Sequence, residues 1–276
     1  MFKLRDWVNI EDLNCITLSS NPRAIHLLTP DNINWCQLSR NPEAIHLLEA
    51  NLDKADWSLL SANPAAIHLL EKYPKIINWE NLCSNPAAIH LINEQYKKEG
   101  YFKRLNLLNW LNVSNWFSKL NWSSLSTNPA AIHLLEANPQ NINWTYLSFN
   151  PAALKLLEAN PEKIDWSYLS LNPAALKLLE ANPEKIDWYH LSANPAAIHL
   201  LTPENIQTPF LRNPAAIDLI EKNLDKLDSM HWIDLSTNSS IFEYDYKAMK
   251  RPFTEELMQN RFHPRNIDKF EGWNHD

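Results

Sequence analysis

NPAALKLLEANPEKIDWSYLSL, residues 150–171, is followed directly by NPAALKLLEANPEKIDWYHLSA, residues 172–193. The same block recurs along nearly the whole chain, and each copy opens with an Asn-Pro dipeptide. A fixed period of about 22 residues is typical of a solenoid, in which each unit buries its apolar side only by stacking on its neighbours. The dipeptides begin at Asn21, Asn41, Asn63, Asn85, Asn128, Asn150, Asn172, Asn194 and Asn213.

The first half of the Asn150 block carries the signals of a short helix. Asn150 can cap the helix by accepting a backbone N–H, and Pro151 suits the first helical position because no donor is needed there. Good helix formers fill residues 152–159, with an apolar stripe at helical spacing. We expect Asn160 to end this helix in the left-handed conformation and Pro161 to prevent its continuation.

The second half of the block predicts a shorter helix or 3₁₀ turn over residues 166–171, capped by Asp165. Neither helix is long enough to persist alone, so stacking must hold both. A Trp recurs six residues before the next Asn. An aromatic ladder that grips a ligand is one interpretation, but packing between repeats is favoured because the Trp keeps fixed offsets to Ile and Leu. The positions are Trp35, Trp57, Trp79, Trp122, Trp144, Trp166, Trp188 and Trp232.

The array has three irregular stretches. The interval from Asn85 to Asn128 is 43 residues, close to two periods, which predicts a degenerate block and an insert within residues 94–127. The Asn194 block is short, at 19 residues, and has Phe210 near the place of its missing Trp. The Asn213 block is long, and the next unit starts 25 residues on. Both of these blocks predict a local change of curvature.

These patterns predict an all-α fold. It would be an α-solenoid, a right-handed superhelix of about 10–11 short two-helix repeats over residues 18–240. An N-terminal cap over residues 1–17 and a C-terminal cap over residues 241–276 would shield the two ends. With about 8–10 Å for each stacked layer, the array would extend for about 100 Å.

Composition excludes several classes of protein. The only glycines are Gly100 and Gly272, whereas P-loops, dinucleotide-binding fingerprints and kinase loops need several. The net charge of −7 opposes a dedicated nucleic-acid-binding protein, whose affinity comes mainly from neutralising phosphates. Three cysteines without a CxxC pair indicate free thiols in a reducing compartment. We expect no secretory signal and no membrane span, because no apolar run approaches about 18 residues.

A row of polar side chains lies five residues after the block asparagine. Equivalent residues on stacked helices lie about 8–10 Å apart, whereas zinc binds its ligands at about 2 Å. We therefore predict no metal site and a solvent-facing row, with charging of the histidines near pH 6 as a second interpretation. The row consists of His26, His46, His68, His90, His133, Lys155, Lys177 and His199.

No unique set of catalytic residues is evident. Serines after Leu and carboxylates near each Trp recur block after block, whereas a catalytic triad needs a unique constellation. We predict no catalytic residue, no cofactor and no enzyme activity.

The residue before each Asn and the two residues after each Trp vary, while the apolar letters hardly change. A constant scaffold with varied surface residues is how solenoids display binding specificity, and neutral drift is the equal alternative. The stretch QYKKEGYFKR, residues 95–104, is the one local concentration of positive charge. Besides the His/Lys row, the candidate contact residues are Tyr146, Phe149, Tyr168 and Tyr189, and Lys97, Lys98, Lys103 and Arg104 in the insert.

The block NPAAIHLLEANPxxIxWxxLSxNP resembles the short tandem repeats of an uncharacterised protein family of giant and other large DNA viruses. The resemblance covers roughly residues 18–240 and extends to the tail, where IFEYDYKAM and RFHPRNIDKFEGW are similar to the family's usual ending. It implies an intracellular viral product, located in the host cytoplasm, the viral factory or the virion. It brings no activity, cofactor or catalytic residue with it.

The leading hypothesis from the sequence is a non-catalytic scaffold for protein–protein interaction, engaging an unidentified host or viral protein. A nucleic-acid-binding helical repeat protein is one alternative, opposed by the acidic balance and supported only by the basic insert. A self-associating structural component of the virion or viral factory is another. No membrane partner is expected.

Overall fold

The computed structural model describes residues 2–104, 120–202, 205 and 207–248. It confirms an all-α repeat solenoid, built from short helices that stack layer on layer. Each layer holds one asparagine of the repeat, fully or almost fully buried. These ladder asparagines are Asn21, Asn41, Asn63, Asn85, Asn128, Asn150, Asn172, Asn194, Asn213 and Asn238.

Each block folds into four short pieces, as the Asn150 block illustrates. A 3₁₀ turn over Pro151–Ala153 leads into a helix over Leu154–Glu158. A corner turn over Pro161–Lys163 then leads to the second helix, Trp166–Ser170. Asn160 has φ −137° and ψ 60°, so the prediction that it adopts the left-handed conformation is wrong. Pro161 disfavours helical backbone at the preceding residue, and an extended φ is sufficient to end the helix.

Each first helix follows a 3₁₀ turn that begins at the proline of its block. They span Ile45–Glu49, Ile67–Lys72, Ile89–Arg104, Ile132–Glu136, Leu154–Glu158, Leu176–Glu180 and Ile217–Glu221. The turns span Pro42–Ala44, Pro64–Ala66, Pro86–Ala88, Pro129–Ala131, Pro151–Ala153, Pro173–Ala175 and Pro214–Ala216. In three blocks only a 3₁₀ turn forms, at Ile25–Leu27, Pro195–Leu200 and Ser239–Ile241.

The second helices start at the Trp or its equivalent, except the last, which starts three residues before Trp232. They span Cys15–Leu18, Trp35–Leu38, Trp57–Ser61, Trp79–Cys83, Trp122–Thr127, Trp144–Phe149, Trp166–Ser170, Trp188–Leu191 and Ser229–Leu235, with a 3₁₀ turn over Thr208–Arg212 in the block without Trp. Corner turns span Pro74–Ile76, Pro139–Asn141, Pro161–Lys163, Pro183–Lys185 and Leu224–Lys226, and a further turn spans Ile10–Asp12. The strands are β1, Phe2–Leu4, and β2, Phe242–Tyr244.

The ladder asparagine caps its own helix and also joins two layers. The side-chain oxygen of Asn172 accepts from the backbone N–H of Ala174, which is the cap expected from the sequence. Its side-chain nitrogen donates to the backbone carbonyls of Ser148 and Asn150 in the preceding layer, both at 3.0 Å. One amide therefore satisfies three backbone groups inside the core, where an unpaired polar group would be costly.

A second ladder is made by the serine that lies two residues before eight of the ten ladder asparagines. The hydroxyl of Ser148 donates to the carbonyl of Trp144 at 2.8 Å and accepts from the backbone N–H of Asp165 in the next block at 3.0 Å. The repeated serines therefore have a structural role. Cys83 takes the serine place in its own block, where its sulfur accepts from the N–H of Asn121 at 3.4 Å.

Asn128 stacks directly on Asn85, so the degenerate block predicted within residues 94–127 does not form a layer between them. The side chain of Asn128 donates to the carbonyls of Cys83 and Asn85, at 2.9 and 3.2 Å. The other ladder asparagines use the equivalent acceptors one layer back, both of them in most layers, so no layer lies between Asn85 and Asn128. Part of the extra length extends the first helix, Ile89–Arg104, and residues 105–119 lie outside the described part.

The array closes on itself. Asn21, in the first layer, donates to the carbonyls of Ser236 and Asn238 in the last layer, at 3.0 and 3.3 Å. The serine ladder also crosses this joint, because the N–H of Asn14 donates to the hydroxyl of Ser236 at 2.9 Å. Elsewhere it is interrupted at Leu211, which takes the serine place of its block. The last layer thus meets the first by the same bonds that join consecutive layers, and the ten ladder asparagines form a ring.

Additional contacts strengthen the joint between residues 2–23 and 233–244, which we call the seam. Strands β1 and β2 pair antiparallel across it, with Lys3 opposite Glu243. Arg5 donates to the carbonyl of Ser240 at 2.9 Å, and Arg23 donates to two further carbonyls of the last layer. Apolar residues from both ends share one buried cluster.

This closure differs from the expected extended array of about 100 Å with a cap at each end. The apolar face of each terminal block is covered by the other terminal block, so the first residues and residues 241–244 form one joint. Ten layers at about 8–10 Å correspond to a mean radius of about 13–16 Å. Residues 249–276, the rest of the predicted C-terminal cap, lie outside the described part.

The second helices lie on the inner circumference of the ring. Second helices of neighbouring blocks contact each other closely, whereas neighbouring first helices are farther apart. In a closed ring the spacing between equivalent elements grows with distance from the axis. The first helices and corner turns, which carry most of the charged residues, therefore form the outer circumference.

Candidate interaction surface

The predicted His/Lys row lies exposed on the first helices, at the outer circumference. Its histidines reach back to the preceding block, where a glutamate ends the first helix. The Nε2 of His90 lies 2.8 Å from a carboxylate oxygen of Glu71, and that of His199 lies 3.4 Å from Glu180. His68 makes the same contact with Glu49, at 2.5 Å. These are exposed pairs, which contribute about 0–1 kcal/mol each.

The remaining row members behave as individual surface residues. His133 contacts Asn93, which replaces the glutamate, at 3.0 Å, and the His26 ring lies edge-on to Phe242. His46, Lys155 and Lys177 are exposed. Within the described ranges, no cluster of three or more His, Cys, Asp or Glu is arranged to hold a metal ion.

A second row of candidates comes together on the second helices of three consecutive blocks. Tyr146, Tyr168 and His190 each lie two residues after the Trp of their block. The ring centroids of Tyr146 and Tyr168 are 6.0 Å apart, with the rings nearly perpendicular. Those of Tyr168 and His190 are 5.9 Å apart, with the rings closer to parallel. The three side chains form a continuous line along the inner circumference.

A parallel apolar line lies one helical turn away. Phe149 and Leu171 follow the two tyrosines by three residues, which places each pair on one face of its helix. Phe149 is 41% exposed, Tyr146 is 40% exposed, and Tyr189, beside the His190 ring, is 54% exposed. We call this surface the aromatic arc and define it as Tyr146, Phe149, Tyr168, Leu171, Tyr189 and His190.

The aromatic arc carries little charge. Asp165 and Asp187 lie next to it, but each accepts the N–H of a second-helix residue as a cap, from Tyr168 and His190 respectively. Beyond His190, Arg212 and Asp234 neutralise each other at 2.6 Å. The lysines of these blocks lie on the first helices and corner turns, on the other circumference.

Asp187 holds His190 in place. Burial raises the pKa of Asp187, but hydrogen bonds from the His190 ring, the His190 N–H and the Ser167 hydroxyl outweigh burial and lower that pKa overall. The carboxylate lies 2.9 Å from Nδ1 of His190. In a catalytic triad the histidine lies between the acid and the nucleophile. Here Asp187 bonds both His190 and the Ser167 hydroxyl itself, so the three residues are not arranged as a triad.

The predicted basic insert is part of the long helix Ile89–Arg104. Lys97 and Lys98 are exposed, and Lys98 lies 4.0 Å from Glu94. On another face of this helix, Tyr96 accepts a hydrogen bond from Asn138 at 3.1 Å, which fixes the helix to the next block. Lys103 and Arg104 belong to the helix, but their side chains lie outside the described part.

The repeated tryptophans are partly buried and pack against the core, as the packing interpretation expects. A lysine from the next block covers several of the exposed ring faces. The Nζ of Lys185 lies 4.4 Å from the ring centroid of Trp166, and that of Lys163 lies 4.5 Å from Trp144. Cation–π contacts of this kind join adjacent layers.

The sequence indicated the four Tyr and Phe residues of the arc as contact candidates and missed the other two members. His190 and Leu171 occupy the same repeat positions as Tyr168 and Phe149, so the internal alignment of blocks carried the signal. The structure brings these six residues together. It keeps them apart from the His/Lys row, which lies on the opposite circumference.

In the described part of the chain, no helix has the length and apolar character needed to cross a bilayer. Comparison with protein-family models, with curated proteins and with solved structures finds no match. The resemblance to the viral repeats therefore stays a prediction.

Proposed function

We propose that this protein is a non-catalytic scaffold that binds another protein through the aromatic arc. The observation that carries the proposal is the row of exposed and half-buried Tyr and Phe side chains on three consecutive blocks, with almost no charge among them. Depletion of charged residues and enrichment of aromatic residues distinguish the centre of a protein interface from the remaining surface.

The frame beneath the arc supports the same proposal. The helices that carry Tyr146, Tyr168 and His190 are fixed to each other by the asparagine and serine ladders. Side chains on such a frame lose little further freedom on binding, so more of the contact energy contributes to affinity. The repeat thus supplies a rigid backbone on which a few positions differ.

The place of action in this proposal comes from the resemblance to the viral repeats. The scaffold would act inside the host cell, in its cytoplasm, in the viral factory or in the virion, on a host or viral protein. Self-association and nucleic-acid binding are the competing functions, and exposed Lys97 and Lys98 are the surface residues that would serve the latter.

The test is an affinity capture with the tagged full chain from infected host cells at physiological salt, read by mass spectrometry. One variant combines Tyr146→Ser, Phe149→Ser and Tyr189→Ser, which change exposed side chains only. The matched control combines His68→Gln, His90→Gln and His199→Gln on the outer circumference. We expect one enriched protein that the control retains and the arc variant loses.

Other outcomes identify the competing functions. Loss in the histidine variant alone would move the interface to the outer row and contradict the proposal. Recovery of the chain alone, with a concentration-dependent mass in light scattering, would indicate self-association. Recovery that nuclease abolishes would indicate nucleic acid, with binding that weakens steeply as salt rises.

A further inference from the structure

We propose that two copies of this chain exchange their N-terminal segments, so that each ring is closed by the segment of the other copy. We call residues 2–24 the clasp and residues 25–34 the hinge. The surface involved is the one that the clasp covers at the seam, and its partner is the clasp of a second copy. This inference goes beyond the proposed function and does not depend on it.

The clasp is held more firmly by the last layer than by its own neighbour in sequence. At the seam, the strand pair and bonds from Arg5, Thr17 and Arg23 to backbone carbonyls of residues 233–242 add to the ladder bonds. Toward the second layer, the hydrogen bonds within the described part of the chain are ladder bonds, donated by Asn41 and Asn34.

The apolar core divides at the same place. Leu18 of the clasp is buried in one cluster with residues from the last two layers. The buried residues of the second layer belong to a separate cluster, over residues 38–69. Within the hinge, Leu27 packs against the first cluster and Leu28 against the second. The boundary between the two clusters therefore falls inside the hinge.

The hinge can change its path at the loss of few contacts. It contains a 3₁₀ turn, Ile25–Leu27, where most blocks have a first helix. At its corner, the carbonyl of exposed Thr29 accepts from the N–H groups of Asn32 and Ile33, at 3.0 and 3.1 Å. Ten extended residues span at most about 33–36 Å, several times the thickness of one layer. An opened hinge is therefore long enough to place the clasp in a neighbouring ring.

An exchanged clasp makes every contact that it makes within its own ring. It lies between the last and second layers of the other copy, with the ladder bonds on both sides, and only the hinge differs. Exchange of an identical element is a low-cost route to a dimer, and repeat proteins are prone to it while they fold. The aromatic arc lies on other blocks and stays exposed in such a dimer.

The test uses two full-length chains in which the three native cysteines are changed to Ser. One carries Lys3→Cys and the other carries Glu243→Cys, at partly exposed positions that face each other in the strand pair. Neither chain can form this disulfide within itself. Refolded together from urea and then oxidised, the two chains should form a disulfide-linked heterodimer. A tenfold higher protein concentration during refolding should raise the ratio of dimer to monomer about tenfold.

Two controls separate exchange from other association. Lys3→Cys mixed with a Glu221→Cys chain measures disulfides that form by random collision. Lys3→Cys with Glu243→Cys in one chain, oxidised as a monomer, holds the clasp in its own ring and should remain monomeric after the same refolding. Circular dichroism establishes that each variant is folded.

Light scattering of the refolded wild type is a test that does not depend on any variant. It should show a dimer beside the 32.1 kDa monomer, with a share that grows with concentration. A wild type that refolds only to monomer at every concentration would overturn the inference. So would a heterodimer yield no higher than that of the Glu221→Cys mixture, or dimerisation of the oxidised double variant.

Discussion

At the scale of single residues, the ladder asparagine explains why one residue recurs so strictly. Aspartate can replace asparagine as the cap of the second helices, as Asp165 and Asp187 show. Asp could not replace Asn172, because its side chain must accept from its own helix and donate to the previous layer at once. A carboxylate has no donor, and here it would be fully buried.

We therefore expect Asn172→Ala to lower the free energy of unfolding by about 3 kcal/mol, since it removes a cap and two hydrogen bonds to buried backbone carbonyls. Asn182→Ala is the matched control in the same block. Its side chain is partly exposed and makes a single bond, to the carbonyl of Leu178, so its loss should cost about 1 kcal/mol or less. Urea unfolding measures the stability of both variants, and the dependence of the unfolding free energy on urea concentration should stay unchanged. Equal effects would argue against the ladder.

The three cysteines should differ in reactivity. Burial raises the pKa of the Cys83 thiol to about 11, so at pH 8 it is ionised in about one molecule in a thousand. Cys15 and Cys36 are exposed. With iodoacetamide at pH 8, mass spectrometry should find two labelled cysteines in the native protein and a third only after unfolding. Rapid native labelling of Cys83 would contradict its place in the serine ladder.

At the scale of elements, each second helix depends on its cap, and the Trp188–Leu191 helix has a charged one. The pKa of Asp187 is lowered in the folded protein, so its contribution to stability is present above the unfolded pKa and is lost as pH falls through the folded value. The relevant window lies below about pH 4.

Asp187→Asn isolates this effect, because asparagine is the cap in several other blocks, as at Asn143. We expect the wild type to lose more stability than the variant between pH 5 and pH 2 (about three pH units, spanning the carboxylate range). Thermal unfolding across that range measures the difference. Parallel curves for the two proteins would show that Asp187 acts as a cap alone.

At the scale of the whole molecule, closure removes both ends of the solenoid. An open array would leave an apolar face and a set of unpaired backbone groups at each end, which terminal caps normally cover. Here the first and last layers cover each other, and β1 pairs with β2 across the seam. We therefore expect the ring to unfold more cooperatively than a linear array of the same blocks would.

The seam places the two ends of the array close enough for a covalent link. Lys3→Cys with Glu243→Cys, in a background with the three native cysteines changed to Ser, should form a disulfide, because these residues face each other in the strand pair. A loop of about 240 residues gives at most about 5 kcal/mol of stabilisation. The disulfide is detected by denaturing gel electrophoresis, in which the linked chain migrates faster without reductant than with it. Lys3→Cys with Glu221→Cys is the control and should stay reduced.

Solution scattering should distinguish the ring from an extended array. A compact chain of this length has a radius of gyration of about 19 Å. A rod of about 100 Å has about 30 Å, since its length divided by √12 sets the value. We expect a radius close to the smaller figure, and a radius close to the larger one would show an open solenoid.

The sequence by itself determined the period, the order of pieces within a block and the caps at Asn150 and Asp165, because these depend on interactions a few residues apart. It also marked most of the aromatic arc, since variable positions stand out against constant ones. The tertiary structure alone decided that Asn128 stacks directly on Asn85 and that Asn21 meets Asn238. Closure needs about 36° of rotation per layer, and that angle is a sum of small packing differences that no single block records.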